Sequence, residues 1–282
     1  MIFLKKKTPK EKIDFVLNGQ TITKTVRLFK TVEFNEKGWE VHSKIEGELE
    51  TWSEYDSNGN IISFKNSKGK SEIYEYDSNG NEIHLKNSEG YEEFTEYDNK
   101  GNIVHYKNSL LHDEKNEYDY DGKLIKQIIN DKEIILFEYD FFGNIKRSVS
   151  STGEEWNYEC NQDGKILKAT RNNDYCEWYT YDLYGNTLSK DSSNDIKSQY
   201  EYDSNNYLIH SLDENGYEQW FSYDEHGNKI YFKDGSGLEE WWDYDDKDNV
   251  IHTHNAYGDE EWTLNTYYDN GTLKSAKTYV PA

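Results

Sequence analysis

Apolar and polar residues alternate along most of this chain in short runs, and turn residues break the runs at a constant interval. Alternation with a period of two is the pattern of a half-buried strand, and Asn-Gly or Asp-Gly between two such runs marks a tight hairpin. The turn segment is Tyr-Asp-x-x-Gly-Asn. It stands as YDSNGN at Tyr55 and Tyr76, and in related forms at Tyr97, Tyr118, Tyr139, Cys160, Tyr181, Tyr202, Tyr223 and Tyr244, always 21 residues apart. One step back reaches Phe34 in FNEKGW, and a last copy near Tyr267 (YYDNGT) comes two residues late.

Other positions share this phase. Seven residues after the anchor stands a β-former (Val41, Ile62, Ile83, Val104, Ile125), and fourteen after it a second Gly recurs (Gly69, Gly90, Gly153, Gly216, Gly237, Gly258). Three residues before the next anchor stands a large apolar group, as at Trp52, Ile73, Phe94, Leu136, Trp178, Trp220, Trp241 and Trp262. Two strands of about five or six residues and two tight turns fill the repeat and leave no room for a helix. The predicted fold is all-β: tandem β-hairpin repeats forming one long antiparallel sheet. A sheet of that length coils, so a spiral or solenoid with an inward aromatic face is expected. Radial closure into propeller blades of four strands is the alternative. The predicted organisation is N-terminal cap strands over 1–33, containing the alternating TITKTVRLF; a twelve-unit array over 34–271; and a C-terminal edge strand over 272–282.

Composition sharpens this reading. Hydrophobic residues make up 34 %, yet 16 % are aromatic, with 25 Tyr and 8 Trp. Disordered chains are poor in aromatics, so this one folds, and most of its aromatic ladder should be core. The net charge is −23; residues 1–33 carry eight basic groups against three acidic ones, which leaves −28 for the remainder. Such a surface repels nucleic acid and anionic lipid, keeps an array soluble and monomeric, and attracts basic partners at long range. The segment MIFLKKKTPKEK has no apolar run after its lysines, and no stretch approaches a membrane span. The expectation is a cytoplasmic protein without membrane contact, with Cys160 and Cys176 reduced.

Phased copies of Tyr-Asp-x-x-Gly-Asn from about Phe34 to Gly271 resemble the YD repeats of rearrangement-hotspot (Rhs) proteins, teneurins and insecticidal toxin-complex subunits. The resemblance implies β-hairpins wound into a spiral strip. In large members it implies a hollow shell around a toxin domain, and in some members binding of carbohydrate or partner proteins. This chain is short for a closed cocoon, shows no protease-like core motif or toxin domain, and is unusually acidic.

Candidate chemistry is sparse. Asp56, Asn58 and Asn60 alternate like calcium ligands, but Gly59 is fourth where an EF-hand needs Gly sixth, and the twelfth residue is Ser67 rather than Glu. A turn closed by Asp and Asn explains the same letters. His42, His84, His105, His210 and His252 share one phase, but units about 10 Å apart cannot share one zinc. They read as a polar column. Cys160 stands at the anchor position amid acidic residues, which disfavours a thiolate nucleophile. No catalytic role and no cofactor are predicted.

Trp is concentrated late in the chain, and Glu-Glu-Trp recurs. The predicted partner-binding residues are Trp178, Trp220, Glu239, Glu240, Trp241, Trp242, Glu260, Glu261 and Trp262. Rings beside carboxylates suit a basic protein. The expected function is therefore a non-catalytic binding protein engaging a basic protein partner, in one version an immunity or accessory protein facing a cationic toxin domain. The alternative is a carbohydrate- or cell-surface-binding repeat protein, because rings also stack on sugars.

Overall fold

The computed structural model describes residues 8–172 and 174–282; the N-terminal reading at Lys5, Lys6 and Lys7 lies outside the described residues. Within them are 25 strands, numbered β1 to β25 in chain order, and no helix. Strands β1 (Glu11–Leu17) and β2 (Gln20–Phe34) precede the array, and β3 (Glu40–Ile45), β4 (Leu49–Tyr55) and β5 (Ile61–Asn66) open it. Two compact units are present. The first holds the described residues up to Tyr74, Asn87–Glu89 and Trp220–Ala282, and the second holds Glu75–Lys86 and Gly90–Gln219.

The repeat works as its residues suggest. After Tyr55 the chain turns so that Gly59 N–H donates to the Asp56 carbonyl and Asp56 N–H to that of Asn60. Gly59 takes a φ of 99°, and the ladder slips between Glu54 and Tyr55. This is a turn closed by a left-handed residue and a bulge. The Asp56 carboxylate accepts the N–H groups of Asn58 and Asn60 at 2.8 and 2.9 Å, and the Asn60 amide donates to its second oxygen at 2.9 Å. Asp77 and Asp98 repeat the arrangement. Where Gly is missing, Asn206 and Asp248 adopt φ of 67° and 61°, as their short polar side chains allow. Leu111 also sits at φ 66°, and nothing in its surroundings explains a leucine there.

Neighbouring repeats are tied at both edges of the strip. At the anchor edge, the hydroxyl of Tyr97, Tyr118, Tyr139 and Tyr181 donates to the carbonyl fifteen residues earlier, at 2.8 to 3.0 Å. Cys160 makes the same contact through sulfur, 3.6 Å from the Ile145 carbonyl. At the other edge, Ser109 N–H donates to the Glu92 carbonyl, and Glu92 N–H donates to the Ser109 hydroxyl at 3.1 Å. Each such bond contributes about 1 kcal/mol. In the second unit the ladder runs unbroken from β8 (Glu92–Tyr97) to β19 (Leu208–Leu212). Separate four-stranded blades would interrupt it.

In the first unit the array ends differently from expectation. Strand β25 (Leu273–Pro281) pairs with β24 (Glu260–Tyr267) on one side and with β2 on the other, so it is not an edge strand. Strand β2 is long enough to serve three neighbours: its first half pairs with β1, and its second half lies between β25 and β3. The late final copy has a local cause. Asn265 keeps the 21-residue phase and donates to the Val250 carbonyl, fifteen residues back. Two further residues then lengthen β24, and the Tyr268 hydroxyl donates to the Phe34 carbonyl at 2.8 Å.

The expected aromatic core is also corrected. Among the described hydrophobic residues only Phe15, Val26, Val32, Ala169, Trp262 and Tyr279 are buried. Most ladder rings are half-covered, because they lean on same-face neighbours of their own strip, as His84 stacks on Phe94 at 4.4 Å. Among the described residues a dense cluster forms where the β1–β2 hairpin meets the array: Phe15, Val26, Trp262 and Tyr279, flanked by Ile13, Leu17, Ile22, Leu28 and Leu264.

Two predictions follow from the turn. Gly59→Ala puts Cβ 2.8 Å from the Trp39 ring at a left-handed φ, whereas Gly69→Ala meets nothing within 4 Å at a similar φ. Urea unfolding should show a loss of about 1 kcal/mol for Gly69→Ala and clearly more for Gly59→Ala; equal losses would refute the clash. The Asn amides, with backbone N–H groups, hold the Asp56, Asp77 and Asp98 carboxyls below their usual range. Depressed carboxyls contribute stability that is complete above the unfolded pKa of about 3.9 and fades as pH falls through the lower folded values. Thermal midpoints should hold from neutral pH down to about 5 and fall steeply below about 4; a midpoint that rises on acidification through that window would refute this.

Candidate functional site

Of the predicted site residues in the first unit, Trp220 lies on β20 (Glu218–Tyr223), and the others lie on β22 (Glu239–Tyr244) and β24, with β23 (Val250–Asn255) between those two. Register decides what they do, because directly opposed residues share a face. Trp241 stands opposite His254, and His254 opposite Glu260; Asp243 stands opposite His252, and His252 opposite Trp262. These six share one face. Glu240 stands opposite Asn255, Trp242 opposite Thr253, and Thr253 opposite Glu261; these share the other face. Trp241 and Trp242 thus lie on opposite faces, as adjacent residues of one strand do.

The first face is occupied internally. Trp241 stacks on His254 at 4.8 Å and contacts Tyr231 at 5.4 Å, and His252 stacks on Trp262 at 4.0 Å. His252 lies between two carboxylates, with Nδ1 2.9 Å from Asp243 and Nε2 3.3 Å from Glu260. Lys24 from β2 holds both Glu260 oxygens at 3.0 and 3.1 Å, with its ammonium 5.1 Å from the Trp262 ring. Phe15 covers Trp262 at 5.1 Å, leaving the indole 3 % exposed. Trp262 is thus part of the hydrophobic cluster rather than of a partner surface, and Glu260 already has a cation. The residues of β1 and β2 that cover it lie far away in sequence, so spacing gave no sign of this.

A cavity of about 650 Å³ is lined by Glu240, Trp242, Thr253 and Glu261 of the second face, by His254 and Glu260 of the first, by Asp259 of the turn before β24, and by the end of β25. Its lining holds four carboxylates and no lysine or arginine. Burial pushes the Glu261 carboxyl up, Lys30 opposes this, and Asp259 adds to it. The Nδ1 atom of His254 is buried without a hydrogen-bond partner among the described residues. Trp242 carries the Lys229 ammonium 4.1 Å from its ring. Such a cavity can accept a cationic group and set an indole face against its apolar stem. Sequence reasoning missed Thr253, His254 and Asp259: Thr253 lies across from Trp242, His254 across from Trp241, and Asp259 closes the turn before β24.

Of the remaining expected residues, Glu239 is within 3.4 Å of the Lys233 ammonium, and Trp220 has that ammonium 5.8 Å from its ring. Trp178 belongs to the second unit, where it is 41 % exposed.

The phased histidines share one device. His42, His84, His105, His210 and His252 each lie between a carboxylate of the preceding strand and one of the following strand. They read as cross-strand clasps, the polar column expected. Burial, then the Asp140 charge, raises the Cys160 thiol, which disfavours its nucleophilic form.

Comparison with known proteins adds the family. The model of the teneurin YD-shell family matches residues 82–278. No curated protein matches the chain. Among solved structures, the TcdB2-TccC3 complex is 14 % identical over 92 % of this chain and 17 % of that one, with a TM-score of 0.47. TcdB2-TccC3-Cdc42 is 13 % identical over 95 % and 16 %, with a TM-score of 0.43. The Tc holotoxin pore of Photorhabdus luminescens is 12 % identical over 90 % and 19 %, with a TM-score of 0.39. The chain spans less than a fifth of the length of each of these. With its phased Tyr-Asp turns, its all-antiparallel hairpins and a family match over most of its length, this chain belongs to the teneurin YD-shell family.

Proposed function

We propose that this chain is a non-catalytic, cytoplasmic binding protein that engages a basic protein segment through the acidic, indole-walled cavity of its first unit. The observation that carries this reading is the lining: Glu240, Asp259 and Glu261, which have no ion pair among the described residues, beside Trp242, one face of which already has Lys229 near it. A lysine or arginine entering there would find carboxylates to pair with and a ring to lie against. The excess of acidic groups over the whole chain would speed encounter with such a partner. In its finer form the proposal makes the partner a cationic toxin domain, and the chain its immunity or accessory protein. Two unpaired thiols, Cys160 and Cys176, fit a reducing compartment.

The test uses an arginine-rich peptide and calorimetry at low and high salt. Binding should occur, weaken with salt, and fall about tenfold in the double variant Glu240→Gln/Glu261→Gln. It should persist in Glu75→Gln/Glu96→Gln, which removes the same charge from the second unit. Equal loss in both variants would reduce the effect to net charge. Retention of the chain on immobilised polysaccharide, with no peptide binding, would replace this reading with the carbohydrate one.

The cavity also makes a prediction without any ligand. A carboxyl whose folded pKa is raised disfavours the folded state once ionised, and this cost disappears as pH falls through the raised value. Glu261→Gln should therefore raise the thermal midpoint at neutral pH and leave it unchanged at about pH 3.5, below the ordinary glutamate range. A lower midpoint at neutral pH would show that the carboxylate is stabilised in place.

A further inference from the structure

The two x positions of the Tyr-Asp-x-x-Gly turn point away from the strip and are polar in most repeats: Ser57-Asn58, Ser78-Asn79, Asn99-Lys100, Ser204-Asn205, Glu225-His226 and Asp246-Lys247. In the second unit three of four consecutive turns break this rule, with Tyr120, the pair Phe141-Phe142 and the pair Leu183-Tyr184. These five side chains are between 75 % and 103 % exposed. Four exposed aromatic rings and a leucine on three turn tips of one edge are more than the singly scattered apolar residues of an ordinary surface. The fold does not require them, because Ser-Asn closes the same turn elsewhere in the chain. Their cost in solubility needs another cause.

We propose that this row of turn tips inserts into the surface of a zwitterionic phospholipid bilayer. Successive repeats lie about 10 Å apart, so the tips stand as separate knobs along one edge of the unit. A protein partner would need a matching pocket for each knob and a rim to exclude water. A bilayer accepts knobs wherever they fall, and Phe, Leu and Tyr are side chains that settle at the boundary of headgroups and acyl chains. The charges of this edge are mixed, with Asp121 and Asp163 exposed at its turn tips, which suits a lipid surface of no net charge. The carboxylates of Asp119, Asp140 and Asp182 are turned inward onto N–H groups of their own turns, at 2.8 to 2.9 Å. Lys100, Lys123 and Lys165 lie along the edge with their ammonium groups 5.1 to 5.6 Å from the rings of Tyr120, Tyr139 and Tyr181. They would meet lipid phosphates when the tips enter. The net charge of −23 forbids an anionic surface, which is why the lipid is zwitterionic.

The experiment is co-sedimentation of the full chain with phosphatidylcholine vesicles, then with vesicles of increasing phosphatidylserine content. The variants are Phe141→Ser/Phe142→Asn and Leu183→Ser/Tyr184→Asn, which install the Ser-Asn pair that three other turns already carry. Unchanged thermal midpoints verify that both fold. The wild-type chain should partition to phosphatidylcholine independently of salt and less as phosphatidylserine rises. Each variant should lose about tenfold or more in partitioning. A wild-type chain that stays in the supernatant, or variants that sediment equally well, overturns the proposal. A lipid-free dimer in sedimentation velocity, absent in the variants, also overturns it and assigns the row to a second copy of the chain.

Discussion

The structure depends on one small closure: an aspartate carboxylate that receives the backbone of its own turn, followed by a residue with left-handed φ. That closure fixes where each hairpin ends. The turn reverses the chain with a one-residue slip, so the anchor tyrosine returns at a constant height in the next repeat. Its hydroxyl then reaches the carbonyl fifteen residues back. A repeat of this kind has no core of its own. It is completed by hydrogen bonds to the repeat before it, which is why the period is kept so strictly while the side chains vary so widely.

Much of this was legible from the letters. Tyr-Asp-x-x-Gly-Asn names a turn through conformational needs that few other residues meet, and alternation names the strands on either side. The failures came where a position depends on distant chain. Leu273–Val280 reads as an edge because nothing nearby says that β2, some 240 residues earlier, lies against it. Asn265 looks like a lost tyrosine, yet its amide makes the same contact with the Val250 carbonyl. The aromatic ladder reads as core because rings are normally buried, but a strip whose side chains lean mainly on same-face neighbours covers them only in part.

The candidate site divides along the same line. Trp241 and Trp242 lie on opposite faces, as adjacent strand residues do, and alternation alone gives that much. Which face is free was not legible. That depends on the β1–β2 hairpin, whose Phe15 and Lys24 occupy the Trp262 and Glu260 side. The other side keeps Glu240, Trp242 and Glu261 around an open cavity. Two Glu-Glu-Trp segments that look equivalent as letters thus differ in role: in one the tryptophan anchors the terminal cluster, while in the other a glutamate and the next tryptophan line the cavity.

Positions that the fold leaves unconstrained are the ones to read for function. The anchor tyrosine, the turn aspartate and the left-handed glycine are held by geometry, so their presence says little beyond the fold. The turn closes with many different x-x pairs, and solubility alone would keep them polar. A run of Tyr, Phe-Phe and Leu-Tyr at those places is therefore more informative than any number of buried rings. The same holds for Glu240, Asp259 and Glu261, three carboxylates of one lining that have no ion pair among the described residues. In a repeat protein the regular part builds the surface, and departures from the repeat mark where that surface meets something else.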